Sequence, residues 1–172
     1  MHQLLLLRHA KSSWDDANQP DRDRPLNQRG RTSAALMRHT MLELGLSPDL
    51  VLVSSAKRTQ ETLEALEPWT DTPLIEPMDA LYLATAGQLM DALRDVPETV
   101  RSVLLIGHNP GLHDLALTLC NDPNQPAARQ MAAGFPTAAL AEFTIGAPWS
   151  RIMPGGGRLV RFLTPRGLSG TD

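Results

Sequence analysis

The four leucines at positions 4–7 are followed at once by Arg8 and His9. A strand with one wet face alternates apolar and polar residues, so a continuous apolar run of this length fits a strand covered on both faces. The same switch occurs twice more. The run at 50–53 is followed by Ser54, Ser55, Ala56, Lys57 and Arg58, and the run at 103–106 by Gly107, His108, Asn109, Pro110 and Gly111. Strands are therefore expected at 3–7, 50–53 and 103–106, with a further short one at 74–76.

Helical patterns separate these runs. Asn27 is placed to N-cap a helix over 28–44, where Ala34, Leu36, Met37, Met41 and Leu44 recur at helical spacing before Gly45. Residues 56–67, 86–95 and 112–120 also read as helices. Strand–helix alternation of this kind predicts a mostly parallel sheet with helices on both faces. The last third differs. Residues 121–138 hold three prolines and read as a long loop with one helical turn. Strands at 139–145 and 158–163 follow, joined by a long connection whose PGGGR at 154–158 lacks the Lys-Ser/Thr of a phosphate-binding loop. One domain over 1–165 is expected, with a frayed tail over 166–172.

Composition narrows the function. The chain has 172 residues, 42% hydrophobic and 20% charged, as a soluble globular domain does. A formal net charge of -3 argues against non-specific nucleic-acid binding. The cations comprise 14 Arg and two Lys, a bias that suits bidentate recognition of phosphate. Cys120 is the only cysteine and sits in an apolar helical pattern, so it reads as a small core residue. No apolar stretch approaches the roughly 20 residues of a membrane span, and the leucine run is too short for a signal peptide. A cytoplasmic location and no membrane partner are the expectation.

Ligands of open α/β sheets bind beyond the carboxyl ends of the strands, where the three switches deliver Arg8, His9, Arg58 and His108. Each alone also fits a turn or a solvated side chain. Together they place two imidazoles and two guanidiniums at one edge. Guanidinium groups bind phosphoryl oxygens through paired hydrogen bonds. A neutral imidazole can attack phosphorus, and a second imidazole, when protonated, stabilises the charge being transferred. That set suffices for phosphate removal without a metal or other cofactor.

The ordered pattern RHAKSSW, DRDRPLNQRG, SSAKRTQET, LY and GHNPGL resembles the histidine phosphatase superfamily, with its phosphoglycerate mutase-like fold. It is most similar to the small bacterial branch of protein phosphohistidine phosphatases. The resemblance implies a three-layer α/β/α sandwich around a mixed, mostly parallel sheet. It implies that His9 is the nucleophile, that Arg8 and Arg58 bind phosphoryl oxygens, and that His108 completes the pocket. Asp15 falls where larger members carry a phosphate-contacting asparagine, and Lys11 and Ser12 can donate to phosphate from the first loop. Ala10 and Ser55 replace the family's usual glycine and frequent proline.

Many members also carry a glutamate that protonates an alcohol leaving group. Asp79 is the acid nearest that position, and it can precede the one required. Without such an acid an alkoxide leaves poorly, whereas a protonated imidazole leaves readily. A phosphohistidine-bearing protein is thus the expected substrate. A small-molecule phosphomonoesterase stays open, and relative rates on phosphohistidine and phosphate esters separate it from the first reading. A non-catalytic phosphate-binding module is the other alternative, against which intact His9 and His108 count, since it needs the arginines but not a nucleophile. DRDRPLNQRGR reads either as a solvated loop or as a rim that meets a partner. His113, His39 and His2 read as surface or terminal residues, and His108 with His113, five residues apart without flanking carboxylates, is a weak metal signal.

Overall fold

The leucine run forms the middle of strand β1 (His2–Arg8) in a computed structural model that describes residues 1–170. Helix α1 (Gln28–Glu43), β2 (Leu50–Ser54), α2 (Lys57–Ala65), β3 (Leu74–Met78), α3 (Ala86–Arg94) and β4 (Ser102–Gly107) follow. Then come α4 (Gly111–Leu119), α5 (Pro126–Ala133), β5 (Leu140–Ile145), β6 (Gly157–Leu163) and α6 (Pro165–Ser169). The six strands form one sheet in the order β3-β2-β4-β1-β5-β6. The pairs β1–β4, β2–β4 and β2–β3 are parallel, while β5 is antiparallel to both β1 and β6. This is the expected mixed, mostly parallel sheet.

The apolar runs are explained by burial on two sides. Leu4 and Leu6 enter one core cluster with Val103 and Leu105 of β4 and with Leu112 and Leu115 of α4. Leu5 and Leu7 enter the other, with Leu104 and Ile106 of β4 and Met37 and Met41 of α1. Each of these side chains is at most 2% exposed. Successive strand residues point to opposite faces, so a strand between two helical layers needs apolar residues at every position.

Helix starts bring loops close to the sheet edge. Asn27 Oδ1 accepts from the Gly30 N–H at 2.8 Å, capping α1 as its sequence predicts. A Cβ at Gly30 would lie 2.1 Å from Lys11 O, and one at Gly111 would lie 1.8 Å from Ala84 O. Glycine at these two positions lets the loops carrying Lys11 and Ala84 touch the first turns of α1 and α4.

Four expectations are corrected. Strand β3 is longer than 74–76 and is an edge strand, with Leu74 72% exposed; Pro77 suits an edge because it has no N–H to donate. The stretch 121–138 contains the eight-residue helix α5. Pro126 occupies its first turn, where no donor is needed, and Ala128 and Met131 are buried at helical spacing. Cys120, at the C-terminus of α4, packs against the core as expected but is only half-buried, its thiol directed to Asp122 O. The tail expected to fray from 166 instead carries α6, whose N-cap Thr164 accepts from the Gly167 N–H and whose Leu168 packs on the core. Residues 171–172 lie outside the described residues. Among the described residues no helix is long and apolar enough to cross a membrane.

Candidate active site

Strands β1 and β4 end side by side, with Arg8 paired to Gly107 and the His9 N–H donating to Gly107 O at 3.1 Å. The imidazoles that follow, His9 and His108, have ring centroids 5.3 Å apart. Both side chains are buried, His9 at 7% and His108 at 3% exposure. His9 Nδ1 lies 2.7 Å from Ala10 O. A carbonyl can only accept, so Nδ1 carries the proton and Nε2 the free lone pair. His108 Nε2 contacts Ser54 Oγ, the last residue of β2, at 2.7 Å.

The segment Arg58-Thr59-x-x-Thr62 has a local logic on α2. Thr59 Oγ1 donates to Ser54 O at the end of β2 and to Ala56 O in the loop before the helix. Thr62 Oγ1 accepts from the Ala10 N–H at 3.0 Å and donates to Arg58 O at 2.7 Å. One hydroxyl therefore ties the loop after His9 to the helix that presents Arg58.

A short turn at Asp21–Asp23 closes the front. Arg58 Nη1 and Nη2 donate to Asp21 O and Oδ2 at 2.7 and 3.0 Å. Tyr82 Oη also donates to Asp21 Oδ2, and Arg24 Nε donates to Oδ1 at 3.1 Å. Arg24, only 7% exposed, donates to Ser12 Oγ at 2.7 Å and lies 3.6 Å above the Trp14 ring. These groups enclose a cavity of about 210 Å³ lined by Arg8, His9, Lys11, Ser12, Trp14, Arg24, Arg58, Leu83, His108, Asn109 and Thr137. Arg8 Nε, Arg58 Nε, His108 Nδ1 and Asn109 Oδ1 are buried atoms without a hydrogen-bond partner in the protein. Buried polar atoms are seldom left so, and four of them around one cavity mark a place for a polar ligand. Two arginines beside a third make that ligand an anion.

Residues 4–82 match the Histidine phosphatase superfamily (branch 1). The chain belongs to the histidine phosphatase superfamily. The uncharacterized protein Rv1276c of Mycobacterium tuberculosis is 32% identical over 162 residues, which span 93% of this chain and 100% of that one. The structure of SixA from Agrobacterium tumefaciens superposes with a TM-score of 0.81 at 28% identity, covering 95% of this chain and 98% of that chain. The protein histidine phosphatase SixA complexed with tungstate superposes with a TM-score of 0.77 at 27% identity, covering 96% and 99%.

In this histidine phosphatase the cavity suppresses protonation of both imidazoles. Burial is the main cause for each. His9 falls to about 4, with Arg58, Arg8 and Arg24 adding repulsion against the partial opposition of the Ala10 carbonyl. His108 falls to about 3, with His9 and Arg58 adding to burial and Asp21 opposing. Both rings are therefore neutral at pH 7 in the free protein, and a cationic His108 requires a bound anion to offset the arginines. Asp21 is held down to about 2, chiefly by the Tyr82 hydrogen bond and then by Arg58 and Arg24.

The structure brings Arg8, His9, Lys11, Ser12, Arg58 and His108 to one cavity. It does not bring Asp15, which is exposed in the loop beyond and whose N–H donates to Ser13 Oγ. Asp79 is also outside the cavity lining. It is exposed, ion-paired with Arg22, and its acidity is increased first by Ser55 and then by Arg22. It is therefore held as a carboxylate and is poorly suited to give up a proton. His113 is half-buried, hydrogen-bonded to Met131 O between α4 and α5, not a free surface side chain. Among the described residues no cluster of three His, Cys, Asp or Glu side chains could hold a metal ion.

Sequence reasoning missed Arg24, Asp21, Tyr82 and Ser54 as parts of the site. Ser54 had a signal, since it ends an apolar strand at the same edge as Arg8. DRDR and Tyr82 stood in the pattern that carries the family resemblance, but compensating charges and spacing assigned no role to Asp21, Arg24 or Tyr82.

Proposed function

We propose that the protein removes phosphate from phosphohistidine in a protein substrate through a phosphorylated His9. The observation that carries this reading is the His9 Nδ1–Ala10 O hydrogen bond of 2.7 Å. It leaves Nε2 unprotonated in a cavity that also holds Arg8, Arg58 and His108. Nε2 attacks phosphorus while the substrate's P–N bond breaks, its electron pair returning to the departing nitrogen. A substrate ring protonated on its other nitrogen leaves as neutral imidazole, so no acid from the enzyme is needed. His9 becomes a phosphorylated ring with Nδ1–H still on Ala10 O. Water then displaces His9 from phosphorus, releasing inorganic phosphate and restoring the ring.

Arg8 and Arg58 hold the phosphoryl oxygens in this scheme, with Lys11 as a further cation. Ser12 Oγ already accepts from Arg24, so its own hydrogen is free to donate. His108 Nδ1 donates once the entering anion favours its protonation. The two rings that exchange the phosphoryl group are chemically alike, so transfer is nearly balanced in energy. An alkyl ester has no such advantage, because Asp79 is held ionised by Ser55 and Arg22. The SixA structure that contains tungstate, a phosphate-like oxyanion, supports an anion in the corresponding fold.

A protein substrate is favoured by the rim. Trp14 and Leu83 are 71% and 54% exposed beside the cavity, an apolar area that a compact phosphate ester leaves in water. The test compares wild type and His9→Ala on a phosphohistidine peptide and on an alkyl phosphate. Wild type should release phosphate from the peptide at least about a hundredfold faster than from the ester, and His9→Ala from neither. Faster ester hydrolysis would overturn the substrate assignment.

A further inference from the structure

A second groove opens beside the phosphate cavity. Strand β6 runs in the same direction as β1, because β5 is antiparallel to both, and Leu7, Leu140 and Leu163 stand in one row across the sheet. Helix α6 therefore follows β6 at the same edge where Arg8 and His9 leave β1. Between α6 and the first turns of α1 lies a groove of about 580 Å³ whose lining includes Arg29, Thr32, Pro136, Thr137 and Arg166. Thr137 lines this groove and the phosphate cavity alike.

The wall they share is fixed to the site. Phe135 O accepts from Arg8 Nη1 at 3.1 Å and from Asn109 Nδ2 at 2.9 Å. The Ala138 N–H reaches Arg8 O and His9 O at 3.0 and 3.1 Å. A ligand spanning both compartments would thus be held in a set register relative to His9. Among the described residues no carboxylate lines the groove. Arg29 and Arg166 are exposed, and among the described residues neither guanidinium has a hydrogen-bond or ion-pair partner. In a chain of net charge -3, two unneutralised arginines next to the site form a local positive field.

We propose that this groove binds a carboxylate-bearing segment flanking the phosphohistidine of the substrate protein, the carboxylates pairing with Arg29 and Arg166. This deepens the phosphohistidine reading and rests on it. Charge complementarity favours an acidic partner. The groove is more than twice the size of the phosphate cavity and has apolar contacts at Leu36, Pro136 and Pro165, features that suit a polypeptide better than a second compact phosphate.

The test uses two phosphohistidine peptides that differ only in acidic or neutral flanking residues, and reads the ratio of their kcat/KM values. Wild type should prefer the acidic peptide by roughly tenfold at low salt, about threefold per arginine, through KM. The preference should shrink at 0.5 M salt, fall to about one in the Arg29→Gln/Arg166→Gln double variant, and fall below one in Arg29→Glu/Arg166→Glu. A wild-type ratio of one, or a ratio unchanged in the double variant, would overturn the proposal. A gain from a second phosphate on a small substrate, without one from acidic flanks, would also overturn it. Should wild type hydrolyse neither peptide, the phosphohistidine reading fails, and binding of the unphosphorylated acidic peptide becomes the readout. Binding lost in the double variant would still support the groove, and binding retained would reject it.

Discussion

Asp21 holds Arg58 at two points, its backbone oxygen 2.7 Å from Nη1 and its Oδ2 3.0 Å from Nη2. The same carboxylate accepts from Tyr82 and Arg24. An anion thus stands beside a cavity built for an anion, and its two effects oppose each other. It orients two arginines, and it repels the ligand that they attract.

Those effects separate in Asp21→Asn. Loss of the negative charge should tighten vanadate binding by about twofold to fivefold, the scale of an exposed charge interaction. Turnover depends on the placement of Arg58 and should fall roughly tenfold. An unchanged kcat would show that Arg58 keeps its position without Asp21.

Thr62 makes a stability prediction. Thr62→Val leaves the buried Ala10 N–H without its acceptor and should lower unfolding stability by about 1–3 kcal/mol. Thr62→Ser keeps the hydroxyl and should recover most of that loss. Equal urea midpoints for the two variants would mean that the hydroxyl does not tie the loop to α2.

The buried imidazoles set an acid limit on stability. The unfolded chain protonates histidine near the usual 6.5, but folded His9 and His108 resist until about 4 and about 3. Their contribution is therefore fully present above pH 6.5 and is lost as pH falls through the folded values, on the order of 1 kcal/mol per pH unit for each. Asp21 acts in the same direction but lower, between its ordinary 3.8 and about 2. Urea midpoints should decline between pH 6.5 and 4.5, and the decline should flatten in His9→Gln/His108→Gln. A parallel decline in wild type and the double variant would assign it to other groups.

Asp79→Asn should leave phosphohistidine hydrolysis within about twofold, because Asp79 is exposed, paired with Arg22 and held as a carboxylate. A tenfold loss would identify it as the general acid. Chelators should have no effect on the rate, and strong inhibition would point to a metal.

How much of this was legible in the chain follows from where each residue lies. Arg8 and His9 stood out because central strands covered on both faces carry only apolar residues until their ends, so the first polar side chain marks the sheet edge. His108 was visible for the same reason. Arg24 was not, since its burial depends on Trp14 and Ser12 meeting it across a turn, and local sequence encodes no such meeting. Asp15 was expected near the phosphate only by position in the family pattern, and its loop carries it outside the cavity. Helix α5 was hidden by Pro123 and Pro126, which read as breakers although Pro126 begins the helix. Strand β3 was legible only as a short strand at 74–76; its place at the sheet edge was not, since Leu74 and Ile75 are apolar yet both exposed, and successive residues of a strand face opposite sides.

The most direct test of the account is to mix the protein with a phosphohistidine peptide, quench within milliseconds to seconds, and map acid-labile phosphate by mass spectrometry. The account predicts phosphate on His9 Nε2 that appears before inorganic phosphate, decays as phosphate is released, and is absent in His9→Ala. Phosphate release without label on His9, or label and turnover that persist in His9→Ala, would contradict it.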